Sequence, residues 1–73
     1  MKSKLVIAWR NRVSGETGYV KRVSMANGCF INTYDITEAK KYVTEKAVVS
    51  DLKKIGTFAD SAYNDYSVHA INV

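Results

Sequence analysis

Apolar and polar positions alternate along three early stretches of this chain, and then the period changes. In Lys4-Leu5-Val6-Ile7-Ala8-Trp9-Arg10 the two-residue period of a strand puts Leu5, Ile7 and Trp9 on one face and Val6, Ala8 and Arg10 on the other. Ser14 to Gly18 is dense in turn formers and reads as a loop tip, so Tyr19 to Met25 is a second strand, antiparallel to the first. Ala26-Asn27-Gly28 is a tight turn, because Asn-Gly tolerates the positive φ angles of hairpins, and Cys29 to Tyr34 follows as a third strand. Glycines 15, 18, 28 and 56 all fall between periodic segments and read as turns.

At Asp35 the period becomes helical. Asp35-Ile36-Thr37-Glu38 has the form of a capping box, with Tyr34 and Ala39 at the staple positions. Ile36, Ala39 and Val43 make one apolar stripe and Val48, Leu52 and Ile55 another. On one ideal helix the two would lie ~100° apart. The phase break predicts a short piece over about 36–42 and a second helix capped by Thr44 on Ala47, running to Lys54 or Ile55 and closed by Gly56 at C′; a single bent helix is the rival. Phe58 to Asp65 reads as a loop and Tyr66 to Val73 as a last strand. The β-β-β-α-β order predicts one α+β domain over residues 1–73, a small, mostly antiparallel sheet with a bent or two-piece helix on one face. Leu5, Ile7, Trp9, Val23, Phe30, Val48, Leu52, Ile55 and Val68 are the expected core.

Composition narrows the chemistry. Seventy-three residues allow one core and little wall for a cavity of the ~300–1,000 Å³ cofactor type. The longest apolar run, Leu5 to Trp9, is far short of a membrane span, and no signal peptide is visible, so the expectation is a cytoplasmic protein with no membrane role. The lone Cys29 fits a reducing compartment. Cys29 and His69 are the only Cys or His side chains, too few for a structural zinc site of about four ligands, and no metal or cofactor is expected. They are also the only nucleophile–base pair the sequence offers, and His69 between Val68 and Ala70 reads as a surface strand residue. Glu38 belongs to the capping box, Glu45 to the start of the second helix, and Asp51 to its surface. No calcium loop or phosphate cradle is present. The reading is therefore non-enzymatic, with no catalytic residues.

The net charge of +4 is uneven. Residues 1–34 hold six Lys and Arg against Glu16, giving +5, and residues 35–73 hold five Lys against six acids, giving −1. Arg10, Arg12, Lys21 and Arg22 are the candidate basic surface, with Tyr19 as a stacking ring for nucleic acid, although a strict two-residue period turns Lys21 and Arg22 to opposite faces. Five tyrosines are too many for so small a core, which makes Tyr19, Tyr63 and Tyr66 candidate interface aromatics. The open edges of a four-stranded sheet can also pair with a second copy of the chain.

Asp35-Ile-Thr-Glu-Ala-Lys-Lys-Tyr-Val-Thr-Glu-Lys-Ala and Leu52-Lys-Lys-Ile-Gly56, after Gly18-Tyr-Val-Lys-Arg-Val23 and before a terminal strand, resemble small accessory proteins encoded by phages and prophages of Gram-positive bacteria. The resemblance covers most of the chain and rests on capping and packing signals. It implies a non-enzymatic binding module that acts on a host protein, in some such proteins as an inhibitor. The basic balance argues against imitation of DNA. Nucleic-acid binding through the basic hairpin is the alternative.

Overall fold

The computed structural model describes residues 3–72, so Lys2 and the expected strand end at Val73 lie outside the described residues. The alternating stretches form β1 (Ser3–Asn11), β2 (Thr17–Ser24), β3 (Cys29–Thr33) and β4 (Asn64–Asn72). They make one antiparallel sheet in the order β3-β2-β1-β4. A single α-helix, α1 (Glu45–Gly56), packs on one face of it. The architecture is the expected small α+β domain.

Local chemistry explains most element ends. Thr44 Oγ1 accepts from the Ala47 N–H at 3.2 Å, and Lys53 and Lys54 lie in the last helical turn, where cations suit the helix dipole. Asn11 shapes the first hairpin: its side-chain oxygen accepts from the N–H groups of Val13 and Ser14 at 2.8 and 2.9 Å. Gly56 does not close the helix from C′. It is the last helical residue, followed by Thr57 at φ −85°. Among the described residues positive φ occurs at Gly15 and Gly28. Gly18 is no turn residue either, for it lies within β2.

The stretch expected as a first helical piece, 36–42, departs most from expectation. Only Ile36–Glu38 coils, as one 3-10 turn. Asp35 caps it by accepting from the Thr37 N–H at 2.9 Å, but the box stays open. Glu38 accepts from Thr33 Oγ1 at 3.2 Å, and the Asp35 N–H goes to that same hydroxyl oxygen at 3.1 Å. Tyr34 is exposed and is not a staple. The chain then extends: Lys40 N–H donates to the Val20 carbonyl at 3.0 Å, and Tyr42 exchanges two 2.8 Å bonds with Leu5. The cause lies in the sheet. β1 and β2 pair only through Ala8–Tyr19, Trp9–Gly18 and Arg10–Thr17, so backbone groups at Val20 and Leu5 need other partners. Satisfying them outweighs a two-turn helix that would have to meet its own nucleation cost.

This strap is locked from the helix side. Tyr42 is buried, and its hydroxyl donates to Asp51 at 2.5 Å; Lys40 Nζ meets the same carboxylate at 2.9 Å and Lys54 at 3.6 Å. Asp51, expected on the helix surface, is only 6% exposed. Burial alone would push its carboxyl up, but the Tyr42 hydroxyl and the two ammonium groups hold it below the ordinary carboxylate value. Burial, then the bond to Asp51, pushes the Tyr42 phenol up.

Ile7, Trp9, Val48 and Ile55 are buried as expected, with Leu5, Val23, Phe30 and Leu52 packed around them. Val68 is a correction. It is 43% exposed, because β4 is an outermost strand. Val6, Val20, Ala39, Tyr42 and Phe58 are the unforeseen buried residues. A bulge shifts the β2–β3 register between Val20 and Arg22, so Val20 and Val23 both reach the core. Lys21 and Arg22 therefore do not divide between faces as the strict period required; both are exposed on the way past the bulge.

Two stability limits follow from the Tyr42–Asp51 bond. The lowered Asp51 value stabilises the fold fully above the unfolded value of ~3.9, and this is lost as pH falls through the folded value. The raised Tyr42 value stabilises fully below ~10 and is lost as pH climbs past it. Urea unfolding against pH should show a plateau between about pH 4 and 10. Tyr42→Phe should lower that plateau by about 1.5–3 kcal/mol, since the lost bond is to a charged acceptor, and shrink the alkaline decline. An alkaline limb unchanged in Tyr42→Phe would contradict this account.

Candidate functional site

The two-residue period places Trp9 and Asn11 of β1, Phe30 and Asn32 of β3, and Asn64 and Tyr66 of β4 on the face that carries α1. No α1 residue is among those that line the concavity these side chains form. Phe58, Ser61 and Tyr63, from the 3-10 segment after the helix, frame it instead, and Val13, Gly28 and Cys29 from the two hairpin tips complete the rim. Together these residues enclose a concavity of about 360 Å³, open to solvent. It is a groove open to solvent and not the deep cavity of a cofactor site.

Aromatic contacts set its shape. The rings of Phe30 and Tyr66 meet edge to face at 6.0 Å, although they come from the two outermost strands. In a flat sheet those strands would stand ~14 Å apart, three strand spacings, so the sheet must curl toward this face. Trp9 packs 6.4 Å from Phe30 and 6.0 Å from Tyr34. Its indole N–H donates to the Tyr19 carbonyl at 3.2 Å. The ring lies over Gly18, where an added Cβ would stand 2.7 Å from Trp9 Cζ2 and 2.9 Å from the Thr33 carbonyl oxygen. Gly18 is required for close approach, not for a turn.

Among the described residues twelve line the concavity: five are aromatic, three are asparagines, and none is Asp, Glu, Lys, Arg or His. Asn64 donates to the Tyr66 hydroxyl at 3.3 Å, while its buried carbonyl oxygen has no hydrogen-bond partner. Val13 is 81% and Tyr63 57% exposed, so the rim presents apolar surface to solvent.

The candidate residues divide among different places. Tyr63 and Tyr66 line the concavity. Tyr19 does not; it lines a second concavity of about 460 Å³ with Arg10, Tyr34, Ser67 and His69. Arg10 is exposed there. Arg12 is occupied, since its guanidinium donates to the Ala62 carbonyl and lies 3.6 Å from Asp65. Lys21 and Arg22 lie at the bulge and line neither concavity. Cys29 and His69 belong to opposite outer strands and to different concavities; His69 Nε2 lies 2.9 Å from Ser67 Oγ. Among the described residues no group of three or more metal-capable side chains occurs, and no helix is long and apolar enough to cross a membrane.

The lining residues that the sequence did not single out, Trp9, Phe30, Phe58 and the three asparagines, carry core or turn signals. The asparagines give the one available hint: Asn11, Asn32 and Asn64 each lie two residues from an aromatic of the same face. Compared with known proteins, the chain matches no family model, no curated protein and no solved structure.

Two outcomes test the geometry. Gly18→Ala should destabilise by about 1–3 kcal/mol in urea unfolding, because neither the packed indole nor the Thr33 backbone can yield cheaply. Alkylating Cys29, half-buried at the rim, should change the emission of Trp9 in the same concavity; identical spectra before and after labelling would separate the two.

Proposed function

We propose that this protein is a non-enzymatic binding module that docks an uncharged, apolar segment of a partner protein in the aromatic concavity. One observation carries the reading: a solvent-open site is lined by five aromatic rings and three amides, with no charged side chain among the described residues. Aromatic anchors in a desolvated pocket supply most of the energy of protein interfaces, and amides serve the partner's backbone. Phosphate recognition needs cations, and no Lys or Arg is among the described residues that line this site. The resemblance to phage-encoded accessory proteins agrees with a host protein as the partner. The domain then acts by occupying a surface, with no cofactor.

The second reading is nucleic-acid binding on the other concavity, where Arg10 shares a wall with Tyr19 and Tyr34. Asp65 stands opposite Arg10 in the β1–β4 register and also holds Arg12, which weakens the field there.

Capture of partners from the source cell, with and without nuclease, separates the two. Under the first reading capture survives nuclease, changes little between 50 and 200 mM salt, and is weakened ~30-fold or more by Tyr63→Ala, a rim substitution the fold tolerates. Arg10→Ala together with Lys21→Ala should leave it intact. Capture that vanishes with nuclease or falls steeply with salt would establish the second reading instead.

A further inference from the structure

We propose that the second concavity, on the face of the sheet turned away from α1, binds a small molecule: one phosphate monoester carried on a flat ring. The site is independent of what the aromatic concavity docks, and a lone phosphate sets it apart from a nucleic-acid track. Its floor follows from strand register. Tyr19, Ala8 and Ser67 form one row across β2, β1 and β4, and Thr17 and Arg10 lie in the next row. They alternate with Trp9 and Tyr66 of the α1 face, so they project from the other. Ala8 is small, while Tyr19 and Ser67 stand about 10 Å apart at Cα, two strand spacings. A hollow of about 460 Å³ is left over Ala8, and the exposed Tyr34 ring walls it.

The donors in this hollow are free. Among the described residues the side chains of Arg10, Thr17 and Tyr19 make no hydrogen bond and no ion pair. Arg12 shows the contrast. Asp65 stands directly opposite Arg10, yet its carboxylate lies 3.6 Å from Arg12 Nε, and Arg12 also donates to the Ala62 carbonyl. Two guanidinium groups thus face one carboxylate, and the one left unpaired lines the hollow. Glu16 accepts from the Tyr34 hydroxyl at 2.9 Å, and neither it nor Asp65 is a lining residue. On the β4 side Ser67 Oγ and His69 Nε2 lie 2.9 Å apart and fix each other in place.

The chemistry of these groups selects the ligand. A guanidinium grips phosphate through two parallel N–H donors. Hydroxyl groups lie on either side of Arg10, Thr17 directly across on β2 and Ser67 diagonally on β4. That set suits the three free oxygens of a phosphate monoester better than the two of a carboxylate. The rings of Tyr19 and Tyr34 give a flat group a surface to stack on. The count of cations sets the number of phosphates. Proteins that hold nucleic-acid chains neutralise about 6–10 of them, whereas one Arg and no Lys line this hollow among the described residues.

The test is an amide-resonance titration of the wild-type chain at about pH 7.5, where a phosphate monoester is mostly dianionic. The probes are adenosine monophosphate and phenyl phosphate, each taken to about 5 mM. At least one should shift the amides of Ala8, Gly18 and Ser67 in a saturable way, and the tighter of the two tells whether the ring is a nucleobase or a simple phenol. Adenosine, which lacks the phosphate, and inorganic phosphate, which lacks the ring, should each bind about 10-fold more weakly or worse. Arg10→Gln, at an exposed position the fold tolerates, should weaken the tighter probe by a similar factor. Lys21→Gln, which removes a cation outside the hollow, should leave it unchanged. No saturable shift with either probe overturns the proposal, as does an equal loss in Arg10→Gln and Lys21→Gln. A single-stranded DNA decamer that binds far more tightly than either probe, and loses that affinity steeply between 50 and 200 mM salt, overturns it in favour of a polymer.

Discussion

The close approach of the Trp9 indole to the backbone at Gly18 is the contact on which the rest of the molecule depends. With no side chain at Gly18, the ring lies across β2 and reaches Phe30 on one outer strand, which in turn meets Tyr66 on the other. That chain of rings holds the sheet curled. The curl makes the concavity, and the same indole forms part of its wall. Core and site are thus one packing arrangement. Under the proposed reading a partner would meet a surface already in shape, with little ordering entropy left to lose on binding.

The second organising element is the strap from Ala39 to Tyr42, which fills the space where β1 and β2 separate. It bonds to a strand on each side and reaches the helix through Asp51. Buried charge is costly unless it is paired and hydrogen-bonded, and here one carboxylate meets a phenol and two ammonium groups. The neutral partner donates the shortest bond, 2.5 Å, and the position of the helix against the sheet follows from it.

Much of the fold was legible because local rules agreed with global ones. Strict alternation marked β1, Thr44 announced α1, and Gly28 took the positive φ its turn needs. The failures have specific causes. A helical stripe through Ile36, Ala39 and Val43 cannot reveal that Leu5 and Val20 lack backbone partners elsewhere. A bulge resets the period at Lys21, so Val20 looked outward until the register was known. Val68 had the pattern of a core residue, but only strand order tells that its strand lies at an edge. The concavity was the least legible feature. Its rings come from β1, β3, β4 and the segment after the helix, and only tertiary packing brings Trp9, Phe30, Phe58 and Tyr66 together.

The longest ladder in the sheet joins its most distant segments, since Ser3 partners Asn72 and Asn11 partners Asn64. A ribosome therefore delivers β1 well before the strand that completes it. During that interval the first hairpin exists with one bare flank, and the aromatic cluster lacks Tyr66. Such non-local closure is slow, and the nascent chain is exposed to misassembly until it is done. A premature stop in the codons before Asn72 would shorten or remove a strand that pairs with β1 along its whole length rather than trim a dispensable tail.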